Sequence, residues 1–320
     1  MPTSHRPRAF TGVTRTAQLP SPFALLGALA RIARHEDVNF LVTNRIPRRL
    51  AAKVVARLGR VEHPALVRML LRVWTQFGGA LDLSDADTQH FPSMHAVFTR
   101  RLRAGARPLD ADPQVLVSPC DALVGAMGDI EGTTVYQAKG FPYRLEDLLP
   151  DPALVERHRG GKFVTLRLTS TMYHRFHAPC DGRVGAVRYI SGDTWNVNPI
   201  SLRRIERLFC RNERVVLDVA LGRPHAAVTL VPVAAVLVAS MVLQGLPVTL
   251  DPDYAGPTTL AWNRAFAKGD ELGHFQHGST ILVFATGGFA FAPGVREGAM
   301  LRMGQPLFRH PHHQFSVVPR

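Results

Sequence analysis

Cysteine is scarce: Cys120, Cys180 and Cys210 are the only three among 320 residues. Odd in number and widely spaced, they make neither a disulfide framework nor a Cys-x-x-Cys metal site, and reduced cytoplasmic thiols are the simplest reading. The first 20 residues carry Arg6, Arg8 and Arg15 among several Pro and Thr and lack the apolar stretch of a secretory signal. They read as a flexible basic tail, residues 1–22. No internal repeat, low-complexity tract or phosphate-cradling glycine loop occurs, so solenoids and P-loop nucleotide sites drop out. Acidic residues are rare at one end only. Residues 1–81 hold 13 Lys and Arg against three acidic residues, so most of the formal charge of +13 sits in the N-terminal quarter. That excess implies a polyanionic partner, with nucleic acid and an anionic membrane surface as the two candidates.

One long stretch lacks charge altogether. Ala226–Leu243 runs 18 residues without a charged side chain and reaches the lower limit for a membrane span. Pro232 in its middle, valines at 228, 231, 233, 236 and 238, and flanking Pro224 and Pro247 favour buried strands broken by a bend instead.

What is present falls into two textures. Over residues 23–81 the pattern is helical. Ile46, Leu50, Val54, Leu58 and Val61 recur at intervals of three and four, with Arg45, Arg48, Arg49, Lys53, Arg57 and Arg60 between them. After Pro64 a second helix sets Leu66, Leu70, Val73, Trp74 and Phe77 against Arg68 and Arg72. Helices of this kind either pack on a core or lie in a membrane interface. Leu81–Asp87 reads as a short acidic linker, and a helix is expected from Met94 towards the Gly105 to Pro108 turn. Beyond residue 110, short Val/Ile/Leu runs alternate with Gly, Pro, Asn and Asp turns, interrupted by a brief helical insertion over 142–149. The fold class is therefore α+β, a basic amphipathic helical region (23–81) followed by a mostly antiparallel β-rich domain (82–320).

Four stretches carry chemistry. Gly278-Ser279-Thr280 precedes the apolar run Ile281-Leu282-Val283-Phe284; alone, it is a turn feeding a strand. Ser118-Pro119-Cys120-Asp121 places a carboxylate at a turn. Tyr173-His174-Arg175-Phe176-His177-Ala178-Pro179 holds two histidines at i, i+3; no companion Glu or second ligand pair accompanies them, so no metal is expected. Leu208-Phe209-Cys210-Arg211-Asn212-Glu213-Arg214-Val215 follows, with Gln137-Ala138-Lys139-Gly140 and Asn196-Val197-Asn198-Pro199 as further marks. Together, in this order over roughly residues 40–307, these stretches resemble the phosphatidylserine decarboxylase proenzyme family in its long bacterial form.

The resemblance implies a self-processing, pyruvoyl-dependent enzyme. A serine can break the peptide bond before it by an N-to-O acyl shift if its hydroxyl is deprotonated and attacks the preceding carbonyl. That requires an imidazole as base and a carboxylate to orient the imidazole. By resemblance these roles fall to Ser279, His177 and Asp121, with Gly278 allowing the crowded tetrahedral centre. Elimination of the ester leaves dehydroalanine at the new N-terminus, which tautomerises and loses ammonia to water, so that Ser279 becomes a covalent pyruvoyl group. A large β chain (1–278) and a small α chain (279–320) would remain together as a heterodimer. The pyruvoyl carbonyl captures a substrate amine and draws electrons from the α-carbon as carbon dioxide departs. His174 is assigned to reprotonation, with His177 as the alternative.

Phosphatidylserine is the implied substrate and phosphatidylethanolamine the product. Arg175, Arg211 and Arg214 are candidates for the lipid phosphate. The expected location is the cytoplasmic side of the cell membrane, bound peripherally to its anionic surface, with no nucleic-acid partner; self-association is left open. Departures from the family pattern include Ala122 where Gly is usual beside Asp121, with strain the expected cost if a left-handed backbone is needed, and His277 before the cleavage pair. Two other readings remain: a non-catalytic basic membrane-binding paralogue, and a decarboxylase of another amine-bearing carboxylate.

Overall fold

The computed structural model describes residues 32, 35–135, 141–222, 226–236, 240–276 and 279–310. The tail 1–22, the Gln137 to Gly140 motif, His277, Gly278, the histidines beyond His310 and the side chain of Phe77 lie outside the described residues.

Helices α1 (Glu36–Asn44), α2 (Arg48–Gly59), α3 (Pro64–Gly78) and α4 (Met94–Phe98) come first. Start signals are where the sequence supplies them: Pro64 opens α3, with the His63 ring accepting from the Leu66 amide, and the Ser93 hydroxyl caps α4 by accepting from the Ala96 amide. The helix expected to run on from Met94 stops at Phe98. Its last carbonyls are taken by a side chain from elsewhere, because Arg175 donates to the Thr99 and Arg100 carbonyls at 2.6–3.2 Å and so draws the chain out of helical path.

Polar contacts dock α1 and α2. Asn44 donates to the Ser201 hydroxyl at 2.9 Å and accepts from the Asn196 amide at 3.1 Å. Arg48 pairs with Asp193 and lies 3.7 Å over the Trp195 ring, and Lys53 pairs with Asp253 at 2.8 Å. The side of α2 that meets the protein carries Arg48, Ala52 and Gly59, and Leu50, Val54, Leu58 and Val61 are left 43–60% exposed beside the exposed Arg49, Arg57 and Arg60. The acidic stretch over 81–87 is tied down as well, since Asp85 accepts from Arg103 and Arg107.

The rest is antiparallel sheet. Eight strands form the largest one: β2 (Ala122–Asp129), β5 (Lys162–Leu168), β7 (Gly182–Ile190), β8 (Arg214–Ala220), β9 (Ala227–Val233), β12 (Thr259–Phe266), β14 (Ser279–Ala285) and β16 (Met300–Leu301), in the spatial order β12-β7-β8-β9-β14-β5-β2-β16. Four more form a second sheet: β6 (Arg175–His177), β10 (Met241–Leu243), β11 (Thr249–Leu250) and β13 (Glu271–Phe275), ordered β11-β10-β13-β6. Strands β1 (Val115–Val117), β15 (Ala290–Phe291) and β17 (Pro306–Arg309) make a third, and β3 (Thr134–Val135) pairs with β4 (Tyr143–Arg144). Helices α5 (Leu145–Leu148), α6 (Pro152–His158), α7 (Pro199–Arg204) and α8 (Leu208–Arg211) connect them.

The described part of the uncharged run over 226–243 holds two strands, β9 and β10, with a turn after β9, as its valines and Pro232 predict. Pro232 lies in β9 opposite Ile281 of β14, and the β8 ladder on its other side skips from Leu230 to Val233, where proline has no amide to give. Every residue of β14 is buried. Ile281 and Val283 enter the core on one face of the sheet, Leu282 and Phe284 the core on the other, which is why this strand reads as a continuous apolar run. Among the described residues no helix is long and apolar enough to cross a membrane.

Candidate active site

Ser279 is the first residue of β14, paired with Leu168 at the end of β5. It is fully buried, and its hydroxyl has no hydrogen-bond partner among the described residues. A buried hydroxyl without a partner costs about 1–3 kcal/mol, and the Thr280 hydroxyl beside it shares that condition among the described residues. Gly278, on the other side of the expected scissile bond, lies outside the described residues.

Three other stretches distant in sequence are laced together by main-chain bonds. The His177 amide donates to the Pro119 carbonyl at 2.8 Å, Ala178 donates to Asp270 at 2.8 Å, and Gly269 donates to Ala178 at 2.9 Å. Asp121 and His177 are thereby held in one neighbourhood. They are not hydrogen-bonded to each other. The Asp121 carboxylate accepts from Arg107 Nε and Nη2 at 2.9 and 2.6 Å and from the Met303 amide at 2.9 Å. His177 is oriented by other groups: its Nδ1 lies 2.8 Å from the Gly269 carbonyl and its Nε2 lies 3.0 Å from the Tyr173 hydroxyl. A carbonyl can only accept, so Nδ1 carries the proton, and Nε2 receives the tyrosine hydroxyl. Burial lowers the His177 pKa from its ordinary value of 6.5, with the Gly269 contact, Glu271 and, more weakly, Asp121 acting against it and Arg175 acting with it. The ring is accordingly neutral at pH 7, with its basic nitrogen defined.

His174, on the same stretch, is fully buried. Its ring meets Phe98 of α4 edge-on at 5.9 Å, Phe98 in turn meets Trp74 of α3 at 4.8 Å, and its carbonyl accepts from the Phe275 amide. The N-terminal helices therefore cover this side of the site. His274 stands nearby on β13, 4.0 Å from the Glu271 carboxylate, and burial lowers its pKa to about 4.

The candidate phosphate ligands Arg175 and Arg214 are committed elsewhere. Arg175 is buried, paired with Glu271 and bonded to two carbonyls of the α4 exit. Arg214 is buried and donates to the carbonyls of Asp147, Leu148, Cys210 and Asn212. The Arg211 side chain is exposed. Ala122 begins β2 opposite Leu301 and is not among the residues with a left-handed backbone, so it imposes no strain beside Asp121. Sequence reasoning gave no role to Tyr173, Arg107 or Gly269. Tyr173 was within reach, because it lies i, i+4 from His177; a backbone carbonyl such as Gly269 carries no letter to read.

All the placed site residues fall within residues 94–309, the stretch that matches the family model for phosphatidylserine decarboxylase. The chain is 40% identical over 273 residues to the phosphatidylserine decarboxylase proenzyme of Halorhodospira halophila, spanning 82% of this chain and 91% of that one. It is 35% identical over 274 residues to the proenzyme of the same name from Alcanivorax borkumensis (81% and 91%), and 34% identical over 289 residues to that of Shewanella baltica (84% and 96%).

Proposed function

The chain belongs to the phosphatidylserine decarboxylase family, and from that membership we propose that it is made as a proenzyme, severs its own backbone between Gly278 and Ser279, and converts phosphatidylserine to phosphatidylethanolamine and carbon dioxide. The observation that carries the residue assignment is the Ser279 hydroxyl, buried, without a hydrogen-bond partner among the described residues and at the start of a strand paired on both sides. His177 Nε2 is the base for that hydroxyl. Gly269 sets its tautomer, and Asp121 acts on it through space while itself held by Arg107. This replaces the directly bonded Asp-His couple expected from the motif with a carbonyl-held imidazole in an acidic field. Tyr173 occupies Nε2 in the uncut chain and must yield that nitrogen to the serine proton.

The residues fit a pyruvoyl group, because Ser279 would become the first residue of a chain already anchored between β5 and β9. Such a group supplies a ketone that binds the substrate amine and accepts the electrons left by the departing carboxylate. His174, beneath α3 and α4, holds the proton returned to the α-carbon. On this reading the protein works as a heterodimer of its own two chains, bound peripherally to the cytoplasmic face of an anionic membrane; the exposed apolar stripe of α2 and its basic neighbours support such a contact.

Intact mass spectrometry tests the central step. The purified protein should yield residues 279–320 as a separate chain with a ketone at its N-terminus, and phosphatidylserine vesicles should release carbon dioxide. Ser279→Ala should remain one 35.2 kDa chain and release none. Cleavage of that variant at the same bond would remove Ser279 as the nucleophile.

A further inference from the structure

A cleft of about 250 Å³ opens between α2 and the β-rich domain. Arg49, Lys53, Arg57 and Arg60 line it from the helix, and Ser240 and Gln276 from the domain. The four bases are spaced i, i+4, i+8 and i+11, which puts them on one side of α2. Arg60 reaches across to donate to the Gln276 side chain at 3.0 Å.

The charge of this cleft is not cancelled from within. Asp253, on its wall, is taken up by Lys53, and Asp251 is one further carboxylate against the remaining three bases, so positive charge stays in excess. Arg49 and Arg57 have no ion-pair partner among the described residues. Behind the wall Glu213 is fully buried, and burial together with Asp251 raises its pKa to about 8, so it adds no full negative charge at pH 7. Positive groups converging on a small polar space select an anion, and guanidinium pairs suit the tetrahedral oxygens of a phosphate.

Two neighbouring features say which anion. The exposed Leu50, Val54 and Leu58 lie one residue further round the same helix from Arg49, Lys53 and Arg57. A molecule seated among the bases can therefore keep acyl chains against the apolar stripe. Gln276 is three residues from Ser279, which bounds their Cα separation at about 11 Å. Of the other arginines considered for a phosphate, Arg175 and Arg214 are consumed by structural bonds, and Arg211 is exposed on α8, outside this cleft.

We propose that this cleft is the phosphodiester site of the lipid substrate, with Arg57 and Arg60 as its principal specificity-determining residues and Arg49 supporting them. The proposal rests on the decarboxylase reading for the identity of the lipid. It is independent of that reading for the existence of a phosphate site.

The test uses the full chain in two forms. The Ser279→Ala chain, which cannot mature, is titrated with glycerophosphoserine by calorimetry. It should bind, inorganic phosphate should compete, and Arg57→Gln/Arg60→Gln added to it should weaken binding at least tenfold, whereas Arg68→Gln on α3 should change nothing. In the matured enzyme the same double substitution should raise KM for glycerophosphoserine at least tenfold, with kcat within threefold and self-cleavage complete. Circular dichroism establishes that the variants are folded. Unchanged binding and KM would overturn the site. So would a defect seen with phosphatidylserine vesicles but not with soluble glycerophosphoserine, since the bases would then only draw the protein to the membrane. Should the wild-type protein release no carbon dioxide, the functional reading fails, and the calorimetric arm still decides the phosphate site.

Discussion

His177 shows how a residue's role is set by neighbours of little sequence prominence. The imidazole works as a base only while neutral, and its folded pKa lies below 6.5 because burial opposes the charged form. The rate of self-cleavage should therefore be level from neutral pH upwards and fall only as the pH drops below 6.5, measured on precursor made by cell-free synthesis and followed by gel. Arg107 governs where that fall begins. With its guanidinium on Asp121, much of the carboxylate's field at His177 is offset. Arg107→Gln leaves Asp121 uncompensated, stabilises the protonated imidazole and should move the cleavage profile to higher pH; a profile that stays put would mean Asp121 does not act on His177 electrostatically. Removing one partner of a buried ion pair typically costs about 3–5 kcal/mol, and the bond from Asp85 to Arg107 is lost as well, so the variant should also unfold at lower denaturant. The letters Tyr-His-Arg-x-His and Gly-Ser-Thr made Ser279, His174 and His177 legible. The network that selects a tautomer was not, since it depends on the Gly269 carbonyl and on an arginine 14 residues from its carboxylate.

At the level of the element, α2 leaves its apolar stripe turned away from the protein. Its spacing was plain in the sequence, but periodicity alone does not say which face turns inward. The answer lies in the small residues Ala52 and Gly59, which sit against the domain, and in polar partners far along the chain, Asp193 and Asp253 for Arg48 and Lys53. Truncating the exposed stripe should then cost little stability and much membrane affinity. For Leu50→Ser/Val54→Ser/Leu58→Ser, roughly 1 kcal/mol of lost insertion per half-exposed side chain sums to about a hundredfold weaker partitioning onto anionic vesicles. A sedimentation assay measures this, and a melting temperature unchanged within a few degrees would show that the stripe packs against nothing in the free protein. Equal vesicle binding by the triple variant would take α2 out of the membrane contact. The end of α4 was misread for a similar reason: the helix pattern continues past Phe98, but Arg175 claims the carbonyls there.

For the whole molecule, the location of the cut matters more than the loss of one peptide bond. Cleavage before Ser279 divides the chain at the edge of the largest sheet, and β14 sits in its interior, with β9 on one side along six paired positions and β5 on the other along seven. Strands β16 and β17, which would belong to the same small chain, pair with β2 and β1 of the large one, so the fragment is held at separate places besides β14. The apolar run after Ser279 and the valine-rich runs of its neighbours made a buried strand predictable from sequence, whereas the strand order that makes it central arises only from long-range pairing. Because Ser279 can keep its place beside Leu168 when the bond breaks, maturation should leave global stability nearly unchanged. The processed protein should elute from a sizing column in water as one species containing both chains, and separate only across the same guanidinium range in which the Ser279→Ala precursor unfolds. Release of residues 279–320 well before that transition would show that the sheet does not hold the small chain, and that continuity of the backbone was the main tie between the two halves.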